Sequence, residues 1–91
     1  MKLTLKEWNQ SLDYASERRE ELKKEGHNLE VCSYTMSNGT KGIRFFVLDN
    51  QGNRFESIFS GIQNTFEEME QAIDSMVRRV KKYYWYNRKG K

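Results

Sequence analysis

A chain of 91 residues, 36% of them apolar and 32% charged, has room for one domain and one core, and buries only about 60–65% of the surface that its unfolded form exposes. Its net charge of +3 is too small to make the whole molecule a binder of polyanions, so any such role must rest on how the charge is distributed. No apolar run approaches the roughly 18–20 residues of a bilayer span, and the charged start lacks a signal-peptide core; no membrane role is expected, and the expected setting is cytoplasmic.

The first element opens on Thr4 and Glu7, spaced as a capping box, with Leu3 placed before the cap to pack on Trp8 as a hydrophobic staple. A helix is predicted over residues 4–25. Leu5, Trp8, Leu12, Ala15 and Leu22 fall on or near one face, and charges of both signs cover the rest. Gly26 is the expected stop, since glycine closes a helix in the left-handed conformation most cheaply.

From Leu29 the apolar period shortens to 2, and three strands are predicted near 29–36, 42–49 and 54–60. Asn38-Gly39 reads as a two-residue hairpin loop. Such a loop would set Cys32 opposite Phe45, Tyr34 opposite Ile43 and Val31 opposite Phe46. The second connection, Asp49-Asn50-Gln51-Gly52, suits a type I turn closed by a glycine bulge. With that register one sheet face collects Cys32, Tyr34, Met36, Ile43, Phe45, Val47, Phe55 and Phe59 as the core. The other collects Leu29, Val31, Ser33, Arg44, Phe46, Leu48, Arg54, Glu56 and Ile58, a mixed surface with Phe46 at its centre. Cys32 is then expected as a buried small hydrophobe.

A second helix is predicted over residues 65–84. Phe66, Met69, Ile73, Met76, Val77 and Val80 recur at helical spacing, and Thr65 with Glu68 repeats the capping box. Its acids come first and its bases last, as the helix dipole favours. Beyond about residue 83 the chain becomes a basic aromatic tail, in which Tyr84, Trp85, Arg88 and Lys89 follow Arg78, Arg79, Lys81 and Lys82 with no acid after Asp74. The expected architecture is α+β: helix, three-stranded antiparallel meander, helix, with both helices on the Phe45 face.

Catalytic patterns are missing. His27 is the single histidine, with no serine, cysteine or carboxylate tied to it at a recognisable spacing, and Cys32 is the single cysteine. One of each, five apart, does not make a metal site. Gly39, Gly42 and Gly52 belong to hairpins and not to a strand-loop-helix phosphate cradle. The expectation is therefore a non-enzyme with no cofactor and no metal.

What remains is binding. Lys and Arg neutralise phosphates, and Tyr and Trp faces stack on unpaired bases or anchor a protein contact. The expected contact residues are Arg78, Arg79, Lys81, Lys82, Tyr84, Trp85, Arg88 and Lys89, with Arg44, Phe46 and Arg54 from the open sheet face. The order of elements is similar to the double-stranded RNA-binding domain, although the last helix here opens on Thr65-Phe66-Glu67-Glu68, acids where phosphate contact would call for bases. The stretch from Gly42-Ile43-Arg44-Phe45 through Asp49-Asn50-Gln51-Gly52 to the start of the second helix also resembles the sheet-plus-helix arm-binding domains of phage and transposon integrases, which implies DNA contact through the open sheet face. Two functions are carried forward: a small protein that binds DNA or RNA through the basic aromatic C-terminal helix and tail with help from Arg44 and Arg54, and a phage-type inhibitor or adaptor that docks on a host protein, as anti-defence proteins such as anti-CRISPRs do. A homodimer through the open sheet face is a further arrangement the pattern allows.

Overall fold

The computed structural model describes the backbone of residues 3–89 and the side chains of residues 3–83. Helix α1 spans Leu5–Lys24, strands β1, β2 and β3 span Leu29–Thr35, Lys41–Leu48 and Arg54–Phe59, and helix α2 spans Phe66–Lys89. The strands form one antiparallel sheet in the order β1-β2-β3. This is the expected α+β architecture, except that α2 continues to Lys89, so the backbone of the basic segment is part of the helix.

α1 begins as its spacing requires. The Thr4 hydroxyl accepts from the Glu7 N–H at 3.1 Å, and the Glu7 carboxylate accepts from the Thr4 N–H at 3.0 Å. At the other end the His27 N–H donates to Leu22 O and the Gly26 N–H to Lys23 O. These two bonds make a Schellman closure and occupy two carbonyls that the helix leaves unpaired. α2 uses a shifted version of the expected box: the Glu68 N–H donates to the Thr65 hydroxyl, but the Glu68 carboxylate reaches back to the Asn64 N–H.

The core is one cluster. Trp8, Ala15 and Leu22 of α1 and Met69, Ile73, Met76 and Val80 of α2 close over Leu29, Ile43, Phe45, Val47 and Ile58 of the sheet. Both helices therefore lie on the Phe45 face. Leu5, expected on that face, is instead 74% exposed; Ser11, between Trp8 and Ala15 on the inward face, is buried, and its hydroxyl donates to Glu7 O at 2.8 Å and so enters the core without an unmet donor. Tyr14 crosses between the helices and donates to Asp74 Oδ1 at 2.5 Å.

The sheet departs from the expected register at two places. In the first hairpin the Met36 N–H donates to Thr40 O and the Gly39 N–H to Met36 O. The loop is thus three residues, Ser37-Asn38-Gly39, with Gly39 at φ 88°. This is the loop that the second hairpin also uses, where Asn50-Gln51-Gly52 closes with Gly52 at φ 85°. The extra residue moves β1 by one, so Val31 faces Phe45 and Cys32 faces Arg44, and every β1 side chain changes face. Leu29 and Val31 turn inward; Cys32 and Tyr34 turn outward, and Cys32 is half-buried instead of buried.

The second departure is a bulge. Leu48 pairs with Arg54 as the loop dictates, but Val47 pairs with Glu56, which leaves Phe55 as the extra residue. Beyond it β3 is inverted, so Ile58 is buried opposite Phe45 and Phe59 stands outward opposite Arg44. Met36, Phe55 and Phe59, all expected in the core, are 49%, 43% and 51% exposed.

Candidate functional site

The two departures gather on the outer face of the sheet a cluster that the expected register had divided. β1 contributes Glu30, Cys32 and Tyr34, β2 contributes Arg44 and Phe46, and β3 contributes Arg54, Ser57 and Phe59. Arg44 is the centre. Its guanidinium carbon lies 4.8 Å from the Phe59 ring centroid, 5.1 Å from that of Phe46 and 5.7 Å from that of Tyr34. Arg54 covers Phe46 from the other end at 4.2 Å. Each such pairing of cation and ring face is favourable by about 0.5–1 kcal/mol when exposed.

Backbone geometry makes this packing possible. Tyr34 pairs with Gly42 across the β1–β2 ladder, and its ring lies where a Cβ on Gly42 would be. Only glycine lets the phenol fold down onto the sheet, from where it meets Phe59 edge-on, with centroids 5.4 Å apart and planes at 84°. Ser60, just past β3, completes the ladder: its N–H donates to Ile43 O, and its hydroxyl accepts from the Ile43 N–H at 2.9 Å.

Charge on this face is partly spent. Glu30 accepts from Arg54 Nε at 2.8 Å, an exposed pair that contributes little to stability but ties down the guanidinium that lies over Phe46. Arg44 has no such partner among the described residues, and its Nε is buried without a hydrogen-bond acceptor. It is held by rings alone.

Of the residues expected to make contact, Arg44, Phe46 and Arg54 therefore come together. Arg78, Arg79, Lys81 and Lys82 are exposed on α2, in the helical layer, with the sheet and the core between them and the Arg44 cluster. Arg78 donates to the Ser75 hydroxyl at 3.0 Å and Lys81 lies 3.8 Å from Glu25. The side chains of Tyr84, Trp85, Arg88 and Lys89 lie outside the described residues. Tyr34 and Phe59 were missed because the expected register placed them in the core; the signal for Tyr34 was Gly42, a strand glycine, which marks a place where something approaches the backbone closely.

A second feature lies at one end of the molecule. Leu3, Leu5, Trp8, Lys41 and Ile62 line an open groove of about 250 Å³ between the start of α1, the first hairpin and the β3–α2 connection. Lys41 Nζ stands 5.8 Å from the Trp8 ring centroid.

Among the described residues no three His, Cys, Asp or Glu side chains are placed to hold a metal ion, and no helix is long and apolar enough to cross a membrane. Comparison with protein-family models, curated proteins and solved structures gives no match.

Proposed function

We propose that this is a small, non-catalytic, cytoplasmic nucleic-acid-binding protein whose contact surface is the open face of the sheet. The observation that carries the reading is the pair Arg44 and Arg54, stacked on rings of a face that no helix covers. Arg54 gives its Nε to Glu30 and the Arg44 Nε is buried, so what each guanidinium offers a ligand is its terminal N–H groups, for which phosphate and base edges are fitting acceptors. Arg78, Arg79, Lys81 and Lys82 stand on the helical layer, on the other side of the core from this face, and in this reading serve as a secondary, non-specific attraction.

The test is fluorescence anisotropy of labelled oligonucleotides at low salt. Replacing Arg44 and Arg54 with Ala is expected to weaken binding at least tenfold, whereas replacing Arg78 and Lys82 with Ala changes it about twofold or less. The reverse ranking, or no binding by the wild type, overturns the proposal.

A different observation favours a second reading, an inhibitor or adaptor that docks on a protein. Leu5 is 74% and Ile62 41% exposed beside the half-open Trp8 groove, and exposed apolar side chains beside a pocket suit a protein anchor. A protein partner that survives nuclease treatment and is lost with Leu5→Asp would support it.

A further inference from the structure

We infer that the open face takes an unpaired strand, with a base lying on Phe59 and the backbone drawn to Arg44 and Arg54; this deepens the nucleic-acid reading above and rests on it. The inference follows from what the face can offer. A groove reader recognises a duplex by hydrogen bonds from side chains that project toward base edges. Here three rings and two guanidinium groups dominate the outward surface, with Glu30, Cys32 and Ser57 beside them, and the rings carry a single polar atom, the Tyr34 hydroxyl. Such a surface stacks more readily than it reads edges.

Access to the rings excludes stacked bases. Phe46 has Arg44 at 5.1 Å and Arg54 at 4.2 Å over its ring, which leaves Phe59, 51% exposed, as the open platform. A base inside a duplex has its faces covered by its neighbours and can lie on that ring only after leaving the stack. A single strand adopts that arrangement at small cost, whereas a duplex must first lose its pairing.

Electrostatics supply an independent signature. Glu30 takes up part of the Arg54 charge at 2.8 Å, so few phosphates are neutralised. Two contacts on a single strand give a slope of log K against log salt near −1.4, from about −0.7 per contact. Binding through the bases of α2 would give a steeper slope.

The experiment titrates the full-length chain into a fluorescein-labelled 15-mer of mixed sequence, as single-stranded DNA, as single-stranded RNA and as the DNA duplex, at several salt concentrations. The expected result is at least tenfold tighter binding of a single strand than of the duplex, with a slope near −1.4. Phe59→Ala, which removes a ring that is 51% exposed and whose folding is checked by circular dichroism, should lose roughly 5- to 150-fold in affinity, the equivalent of one base stack, while Phe59→Trp retains it. Duplex binding equal to or tighter than single-strand binding overturns this inference and leaves the nucleic-acid reading standing. Equal affinity of wild type and Phe59→Ala also overturns it. Absence of binding to all three oligonucleotides at low salt overturns both.

Discussion

Tyr34 lies across Gly42, its ring occupying the volume that any other residue at position 42 would need for its Cβ. The contact couples a backbone choice on β2 to the position of a ring on β1, and through that ring to Phe59 and Arg44. Gly42→Ala is accordingly expected to push the phenol away from the sheet and to cost about 1–3 kcal/mol, as overpacking does. Adding Tyr34→Ala should restore most of the loss, because the clash then has no second partner. A double-mutant cycle by urea unfolding measures the coupling; purely additive losses would refute the clash.

Phe45 and Phe46 are neighbours in sequence on opposite faces. Phe45 is fully buried beneath both helices, so Phe45→Ala is expected to cost about 3–5 kcal/mol, enough to leave so small a domain largely unfolded. Phe46→Ala removes a half-buried ring and its contacts with two arginines and should cost about 2 kcal/mol, well below the loss at Phe45. Thermal unfolding of the two variants checks this, and similar losses would mean that the sheet is covered on both faces.

Tyr14 reports on the helix pair. Its hydroxyl donates to Asp74 at 2.5 Å, and this hydrogen bond, with burial and the nearby carboxylate charge, pushes the phenol up from 10.0 to about 12. A raised value means that the folded state holds this proton more tightly than the unfolded chain. The stabilisation is complete below pH 10 and fades as pH rises toward about 12. Tyr14→Phe should lower stability at pH 7 by about 1 kcal/mol and flatten the alkaline part of the curve. Urea midpoints between pH 7 and 11 measure both effects.

Glu7 acts at the start of two helices. Besides its capping bonds with Thr4, its second oxygen accepts from the Phe66 N–H of α2 at 3.3 Å. The Thr4 N–H first and the Phe66 N–H second hold its carboxyl below the ordinary 4.5. The stabilisation is present above 4.5 and disappears as pH falls through the lowered folded value. Glu7→Gln retains an acceptor but has no proton to gain, so its stability should fall less between pH 5 and 3 than that of the wild type. Parallel acid titrations by circular dichroism test this; identical slopes would place the acid sensitivity elsewhere.

Element order and helix caps were legible because they depend on neighbours: Thr4 with Glu7, Gly26 with the last turn of α1, and the apolar spacing from Phe66 to Val80 are local. The faces of β1 and β3 were not. Asn38-Gly39 fits a two-residue loop as well as it fits the end of a three-residue one, and the difference of one residue decides whether Val31 or Cys32 is inside. Along β3 the loop was read correctly, and the inversion comes from Phe55, a bulge residue whose side chain resembles those beside it. β2 was legible throughout, since Ile43, Phe45 and Val47 alternate with Gly42, Arg44 and Phe46 whatever the partners do. The candidate site was half legible for the same reason: Arg44 and Phe46 belong to β2, whereas Tyr34 and Phe59 reach the outer face only through the loop and the bulge.

The two identical three-residue loops and the two long-range hydrogen bonds also divide the molecule in time. Each hairpin joins residues close in sequence, whereas Tyr14 meets Asp74 and Glu7 meets Phe66 across about 60 residues. Loop closure over short segments is cheap and fast, and closure over long ones is paid late. The meander is therefore expected to form first and the α1–α2 clasp last. Gly52→Ala, which adds strain at φ 85° without touching any neighbour, should chiefly slow refolding, and Tyr14→Phe should chiefly speed unfolding; stopped-flow chevrons separate the two. During synthesis the order has a physical cost, because α1 alone can shield the Phe45 side of the finished sheet, and the part that Met69, Ile73, Met76 and Val80 cover must wait exposed until α2 has left the ribosome.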